Sequence, residues 1–222
     1  MIKSCVDTPY FFSVEGWTEK WYLDWLLKKI NSSNIPKYKV NIYAKVEKNP
    51  EKFVKSLSII NNPNNKSKIW HVCDYEKNDI LHSKRFKKNI DLMRSAENLG
   101  KQITYKLCYT NLTFELWLIL HKTCLNKHII NPNEYLKYIN SYFKENFKSL
   151  DEYKEEKNFK RILTNLDLND VKTAICNAKT IMNRNIISGL QLIKYKKENY
   201  YEENPSLSIY FIIEEILNEC EY

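Results

Sequence analysis

Four strand-type runs alternate with four helix-type runs in the first 122 residues, and this alternation constrains the fold most tightly. Strand-type runs cover Tyr10 to Val14, 38–46, 68–74 and 103–109; the second alternates Val40, Ile42, Ala44 and Val46 as a half-buried strand does. The third, "KIWHVCD", is more continuously apolar, as expected for the middle of a sheet covered on both faces. Between them lie helical patterns. Trp17, Tyr22, Trp25, Leu26 and Ile30 form the inward face of the first, after a Glu15-Gly16 turn and with Thr18 as its candidate cap. "NPEKFVKSLSIINN" carries Pro50 in its first turn. Residues 83–99 space Phe86, Ile90, Met93 and Leu99 along one face and stop at Gly100, and 113–122 is the fourth helix. Parallel neighbours need a long crossover, and a helix is the usual one, so repeated βα units predict a mostly parallel sheet flanked by helices.

The rest reads as helical at about 132–148, 156–163, 169–186 and 204–219. The expected organisation is an α/β core over 1–122, with 123–222 a mainly helical part completing the same domain and packed on the sheet. Hydrophobic residues make up 43% of the chain, which argues against disorder. Lys+Arg 35 against Asp+Glu 27 gives +8, which permits a polyanionic partner, although an AT-rich genome enriches lysine and asparagine equally well. Six scattered cysteines offer no zinc spacing, and no apolar run approaches a membrane span of about 18 residues. A reduced, cytoplasmic protein is expected, with no membrane partner. Only 3 glycines and no Walker, G-x-S-x-G or G-x-G-x-x-G pattern leave no room for a glycine-rich phosphate loop.

Functional groups in open α/β sheets gather at the carboxyl ends of strands, and three acidic clusters fall there. Glu15 and Glu19 follow the first strand, Asp74 and Glu76 the third, and Glu115 the fourth. Each has an ordinary explanation. Glu15 suits a turn, Glu19 a helix start, and an isolated Asp-x-Glu a solvated strand end. Glu115 is harder to dismiss, since "TFELWLIL" surrounds it with apolar neighbours and a buried acid needs a partner. His121 reads more naturally as a structural histidine. Oxygen ligands placed like this suit Mg²⁺ or Mn²⁺, which polarises a phosphodiester and activates water.

Three segments together carry a resemblance: "FFSVEGWTEKWYLDWL", "YTNLTFELWLILHK" and "NPSLSIYFIIEEI". They resemble the E-G-x-x-T-E, S-N-P-x-F-E-x-W-L-x-x-H and N-P-S-T-x-V-x-x-L-V-E-x-I elements of RloB-like proteins, a Toprim-like family. The resemblance implies a Toprim-like sheet and a metal-dependent nuclease of anti-phage, abortive-infection defence. Its substrate would be RNA, tRNA included, or DNA, and its partner an ABC-type ATPase encoded alongside, with homo-oligomers a further candidate. It also implies Glu15 as the family glutamate and Asp74 as the first acid of its D-x-D, with Glu76 replacing the second aspartate. On that reading Glu15, Asp74 and Glu76 hold Mg²⁺ or Mn²⁺, and Glu115 joins them in catalysis. Glu19, Asn111 and His121 match motif positions as supporting residues. Lys84, Arg85, Lys87, Lys88, Lys160 and Arg161 are candidates for phosphate contacts, with a solvated face as the alternative for each. Tyr200 and Tyr201 are read as exposed and able to stack on bases, with a turn or packing role as the equal alternative. Asn204 or Ser206 caps the last helix. The competing class is a non-catalytic domain that binds nucleic acid or the ATPase as sensor or scaffold.

Overall fold

The computed structural model describes residues 4–5, 9–57, 67–76, 80–99 and 102–222. Strands β1 (Tyr10–Val14), β2 (Ile42–Val46), β3 (Ser67–Asp74) and β4 (Ile103–Asn111) alternate with helices α1 (Trp17–Ser32), α2 (Pro50–Ser56), α3 (Ile80–Glu97) and α4 (Glu115–Leu120). The sheet order is β2-β1-β3-β4-β7, where β7 (Ser206–Leu207) runs antiparallel to β4 and the other neighbours are parallel. The α/β, mostly parallel sheet expected from the alternation is therefore the observed architecture. The chain leaves β1 toward β2, then returns past β1 to β3. The strand order thus reverses between β1 and β3, where ligands collect in such sheets.

Alternating side chains build a core on each face. Tyr10, Phe12, Val14, Trp70, Val72 and Cys108 join α1, α4 and the C-terminal helices on one side. Phe11, Ile69, Cys73, Tyr105 and Tyr109 meet Phe53 of α2 and Phe86, Ile90 and Met93 of α3 on the other. The C-terminal half supplies α5 (Tyr135–Phe143), α6 (Leu150–Tyr153), α7 (Glu156–Thr164), α8 (Leu168–Ile187) and α9 (Ile209–Glu219). Their buried residues belong to the same cluster as β1 and α1.

Local chemistry explains several boundaries. Asn49 caps α2 by accepting from the Lys52 N–H, with Pro50 in the first turn as expected. Gly16, rather than Thr18, is the N-cap of α1. Trp17 lies outside the core at 58% exposure, because the inward face of α1 runs through Tyr22, Leu26 and Ile30. Helix α3 begins at Ile80, earlier than periodicity suggested, and Gly100, its expected stop, lies outside the described residues. Two strands, β5 (Leu192–Tyr195) and β6 (Glu198–Tyr201), form an antiparallel hairpin where no strand was expected. Its two linking residues are Lys196 and Lys197, which carry no Asn-Gly-type turn signal. "NPSLS" also departs from a helix entrance: Ser206 and Leu207 pair with Asn111 and Thr110 before α9 starts. Neither Asn204 nor Ser206 caps α9. Asn204 instead exchanges hydrogen bonds with the Ile129 backbone at 2.7 and 2.9 Å. Among the described residues the cysteines are free, and no helix is long and apolar enough to cross a membrane.

Two buried histidines give the fold a pH dependence. His71 Nδ1 meets Ser13 Oγ at 2.9 Å, and Ser13 Oγ meets the Tyr105 hydroxyl at 3.0 Å. His121 Nε2 meets the Tyr22 hydroxyl at 3.0 Å. Burial pushes both imidazoles down to about 4 from 6.5. Between those values the unfolded chain binds the protons and the folded chain does not, so these groups lose stability as pH falls from about 6.5 to about 4. Urea midpoints measured across that window should fall less steeply in His71→Asn. An unchanged slope would remove His71 from the account.

Candidate active cleft

The ends of β1 and β3 are held side by side, which brings their following residues together. The Glu15 N–H donates to the Val72 carbonyl at 3.2 Å, extending the β1–β3 ladder by one residue. Glu15 Oε1 accepts from Asn89 Nδ2 of α3 at 3.0 Å, and its Oε2 lies 3.5 Å from the Asp74 amide nitrogen. Asp74 Oδ1 accepts from Thr110 Oγ1 of β4 at 2.9 Å. Glu19, in the first turn of α1, accepts from Thr18 Oγ1 at 2.8 Å. A Cβ on Gly16 would stand 2.7 Å from Glu19 Oε2, so glycine allows that carboxylate to fold back over the helix start. Glu115 opens α4 and is buried. Lys154 Nζ forms an ion pair with its Oε1 at 3.1 Å, while Oε2 has no partner among the described residues.

These groups line a cleft of about 400 Å³ that contains the five carboxylates Glu15, Glu19, Asp74, Glu76 and Glu115. Lys48, Arg85 and Lys154 supply the permanent cations in its wall. Burial raises the Glu15, Glu19 and Asp74 carboxyls, because a charged carboxylate loses water there. Asp74 is pushed up further by Glu19, Glu115 and Glu15. Burial pushes the Lys154 ammonium down, but Glu115, Asp74 and Glu19 outweigh it and hold it raised. Desolvated hard oxygens with excess negative charge suit a divalent cation chemically, and Glu115 Oε2, which no group pairs among the described residues, is a ligand atom such an ion would satisfy. Among the described residues, no three Asp, Glu, His or Cys side chains are posed to hold one ion.

The model of the RloB-like protein family matches residues 10–216. The chain belongs to the RloB-like family. No curated protein and no solved structure matches it. In this RloB-like chain, the four acids expected at the site, Glu15, Asp74, Glu76 and Glu115, all line the cleft. They lie at different depths. Glu76 lies past the end of β3, its side chain 40% exposed and 3.7 Å from His82 Nε2. Glu19, read only as supporting, is buried and is the foremost carboxylate acting on Asp74.

Other expected residues of this RloB-like protein sit elsewhere. Asn111 is buried away from the cleft and donates to the Glu202 carbonyl at 3.0 Å. His121 packs under α4, its Nδ1 at 3.0 Å from the Trp117 carbonyl, as the structural reading anticipated. Of the phosphate-contact candidates, Arg85 alone lines the cleft. Lys84 and Lys88 are exposed on α3, and Lys87 lies 5.8 Å from the Tyr195 ring centre. Lys160 pairs with Glu156, and Arg161 holds both oxygens of Glu145 at 2.8 and 2.7 Å. Tyr200 and Tyr201 are buried, which overturns the exposed, base-stacking reading and fits the packing one. The hairpin turns Tyr200 inward against Tyr75 and Phe86, so neither ring is free to stack on a base. Sequence reasoning missed Lys48, Asn89 and Lys154. They come from a loop, mid-α3 and the end of α6, and nothing local distinguishes them from other lysines and asparagines.

Proposed function

We propose that this protein is a divalent-metal-dependent phosphodiesterase of Toprim-like design, the effector of an anti-phage defence system whose partner is an ABC-type ATPase. Family membership supports the defence association. The observation that carries the chemistry is the convergence of desolvated carboxylates from the ends of β1 and β3 and the starts of α1 and α4 in one cleft. Nucleic acid is the substrate class, RNA ahead of DNA and tRNA among the candidates.

Glu15 and Asp74 would hold Mg²⁺ or Mn²⁺, with Glu19 and Glu115 as the next oxygens inward and Glu76 at the mouth. Such an ion, when bound, polarises the phosphodiester and lowers the pKa of a water. Glu15 is kept in orientation by Asn89 and has a raised carboxyl, which suits it to hold a proton at Oε1 or Oε2. Lys48, Arg85 and Lys154, which line the cleft, would bind substrate phosphate oxygens.

Metal-free protein should gain about 5–10 °C in Tm at Mn²⁺ near 100 times Kd, and should cleave single-stranded RNA once Mn²⁺ is added. EDTA should reverse both. Absence of both effects, with the ATPase present as well, would sink this reading. One observation favours a second reading, a non-catalytic sensor or scaffold: no three side chains among the described residues are posed around an ion. That reading expects no Mn²⁺ shift and an ATPase complex that survives loss of the acids.

A further inference from the structure

The mouth of the cleft carries a tryptophan that the core does not use. Trp17 is the first residue of α1, two positions after Glu15, and it lines the same cleft as Glu15 and Asp74. At 58% exposure it is the most exposed of the large aromatic side chains among the described residues apart from Phe211 at 60%. Leaving an indole in water is costly, and packing does not explain it, since α1 already buries Tyr22, Leu26 and Ile30.

The ring is nevertheless held in place. Trp17 stacks on Trp21 with centres 5.9 Å apart and planes at 29°. Trp21 in turn rests on buried Phe159 of α7 at 5.9 Å. Lys160 lies 6.0 Å from the Trp21 ring centre and helps hold this column from outside. The result is a backed aromatic platform beside a cleft whose wall carries Lys48, Arg85 and Lys154. Flat aromatic surface next to phosphate-binding cations is how proteins take unpaired nucleotides, because every base has a face to stack and the cations follow the backbone.

We propose that Trp17 stacks on an unpaired base next to the phosphate in the cleft, so that the substrate is single-stranded or looped nucleic acid. Bases within a duplex are already stacked on their neighbours and cannot reach the indole face. This rests on the phosphodiesterase reading for the identity of the cleft, but its test does not depend on catalysis.

Anisotropy of a fluorescein-labelled single-stranded oligouridylate and of a blunt duplex, with full-length protein in EDTA and again in Ca²⁺, measures the platform directly. Trp17→Ala should lose about 5- to 150-fold in affinity for the single strand, the value of one base–aromatic stack, and little for the duplex. Trp17→Phe should keep most of the single-strand affinity. An unchanged melting temperature in Trp17→Ala shows that the fold is intact. Equal single-strand affinity in Trp17→Ala and wild type, equal losses on single strand and duplex, or no binding by wild type in either condition would overturn the proposal. Mn²⁺-dependent cleavage, measured separately, divides the two readings. Cleavage with Trp17-independent binding sinks the platform alone, whereas Trp17-dependent binding with neither cleavage nor a Mn²⁺ shift, the ATPase present, sinks the phosphodiesterase alone.

Discussion

Asp74→Asn is expected to abolish Mn²⁺-dependent cleavage while making the protein more stable. Burial and the nearby Glu19, Glu115 and Glu15 carboxylates all raise the Asp74 carboxyl, so a negative charge at this position destabilises the folded state near neutral pH. Asparagine removes the charge, keeps the shape, and still offers an oxygen to Thr110 Oγ1, which donates to Asp74 Oδ1 across 2.9 Å. The gain should be about 0.5–2 kcal/mol, or a few degrees in Tm for a chain of this size. The sign follows from proton linkage. A carboxyl raised in the folded state binds protons there more readily than in the unfolded chain, so its charge weakens the fold as pH rises through the folded pKa. The stabilising effect of Asp74→Asn should therefore shrink as pH is lowered and the native carboxyl takes its proton. Activity should fall at least about 100-fold, beyond the roughly 10–100-fold that losing a metal ligand's outer partner costs. Melting curves at pH 7 and pH 5 beside an RNA cleavage assay measure both. A variant that is less stable and still active would reverse the assignment of this acid.

The largest stability loss is expected at a distance from the cleft, in Arg94→Met. Beyond its short pairing with β7, strand β4 turns an edge toward α3 and the hairpin, and side chains close that edge. Glu97 Oε1 accepts from the Tyr105 N–H at 2.9 Å, Glu198 Oε2 accepts from the Leu107 N–H at 3.4 Å, and Arg94 Nη2 donates to the Tyr105 carbonyl at 2.7 Å. Arg94 also bridges the two acids, at 3.1 Å to Glu97 and 3.0 Å to Glu198. All three side chains are at most 16% exposed. Without the guanidinium, Glu198 loses its ion-pair partner and Glu97 keeps only the exposed Lys197 at 3.1 Å, and breaking a buried pair in this way costs about 3–5 kcal/mol. Tm should drop by about 10 °C or more. Adding Glu198→Gln to Arg94→Met should recover part of the loss, since burial raises the Glu198 carboxyl and Arg94 is the main group that lowers it. A loss below about 1 kcal/mol would mean that water solvates these acids and that the cluster does not seal the edge.

Much of this was legible in the chain. The βα order could be read because both periodicities are local: alternate residues share a strand face, and residues three or four apart share a helix face. The carboxylates at strand ends could be read for the same reason, since Glu15 and Asp74 directly follow or end apolar runs. The hairpin β5–β6 escaped notice because Lys196-Lys197 looks like solvated charge, and β7 because two residues carry no period. Tyr200 looked exposed within "KKENYYEEN", yet the hairpin's antiparallel pairing sets it on the face that meets Phe86 and Tyr75.

By itself, then, the sequence determined a parallel α/β sheet with acids gathered at its carboxyl edge. Only the tertiary structure decided which acids lie deep. Glu19 folds back beneath Gly16 toward Asp74 while Glu76 stays at the mouth, and Lys154 arrives from α6 to face Glu115. The physical reason is that the charge state of a carboxylate depends on desolvation and on neighbours within a few ångströms. Those neighbours are supplied by segments far apart in the chain, and no local pattern records which of them will meet.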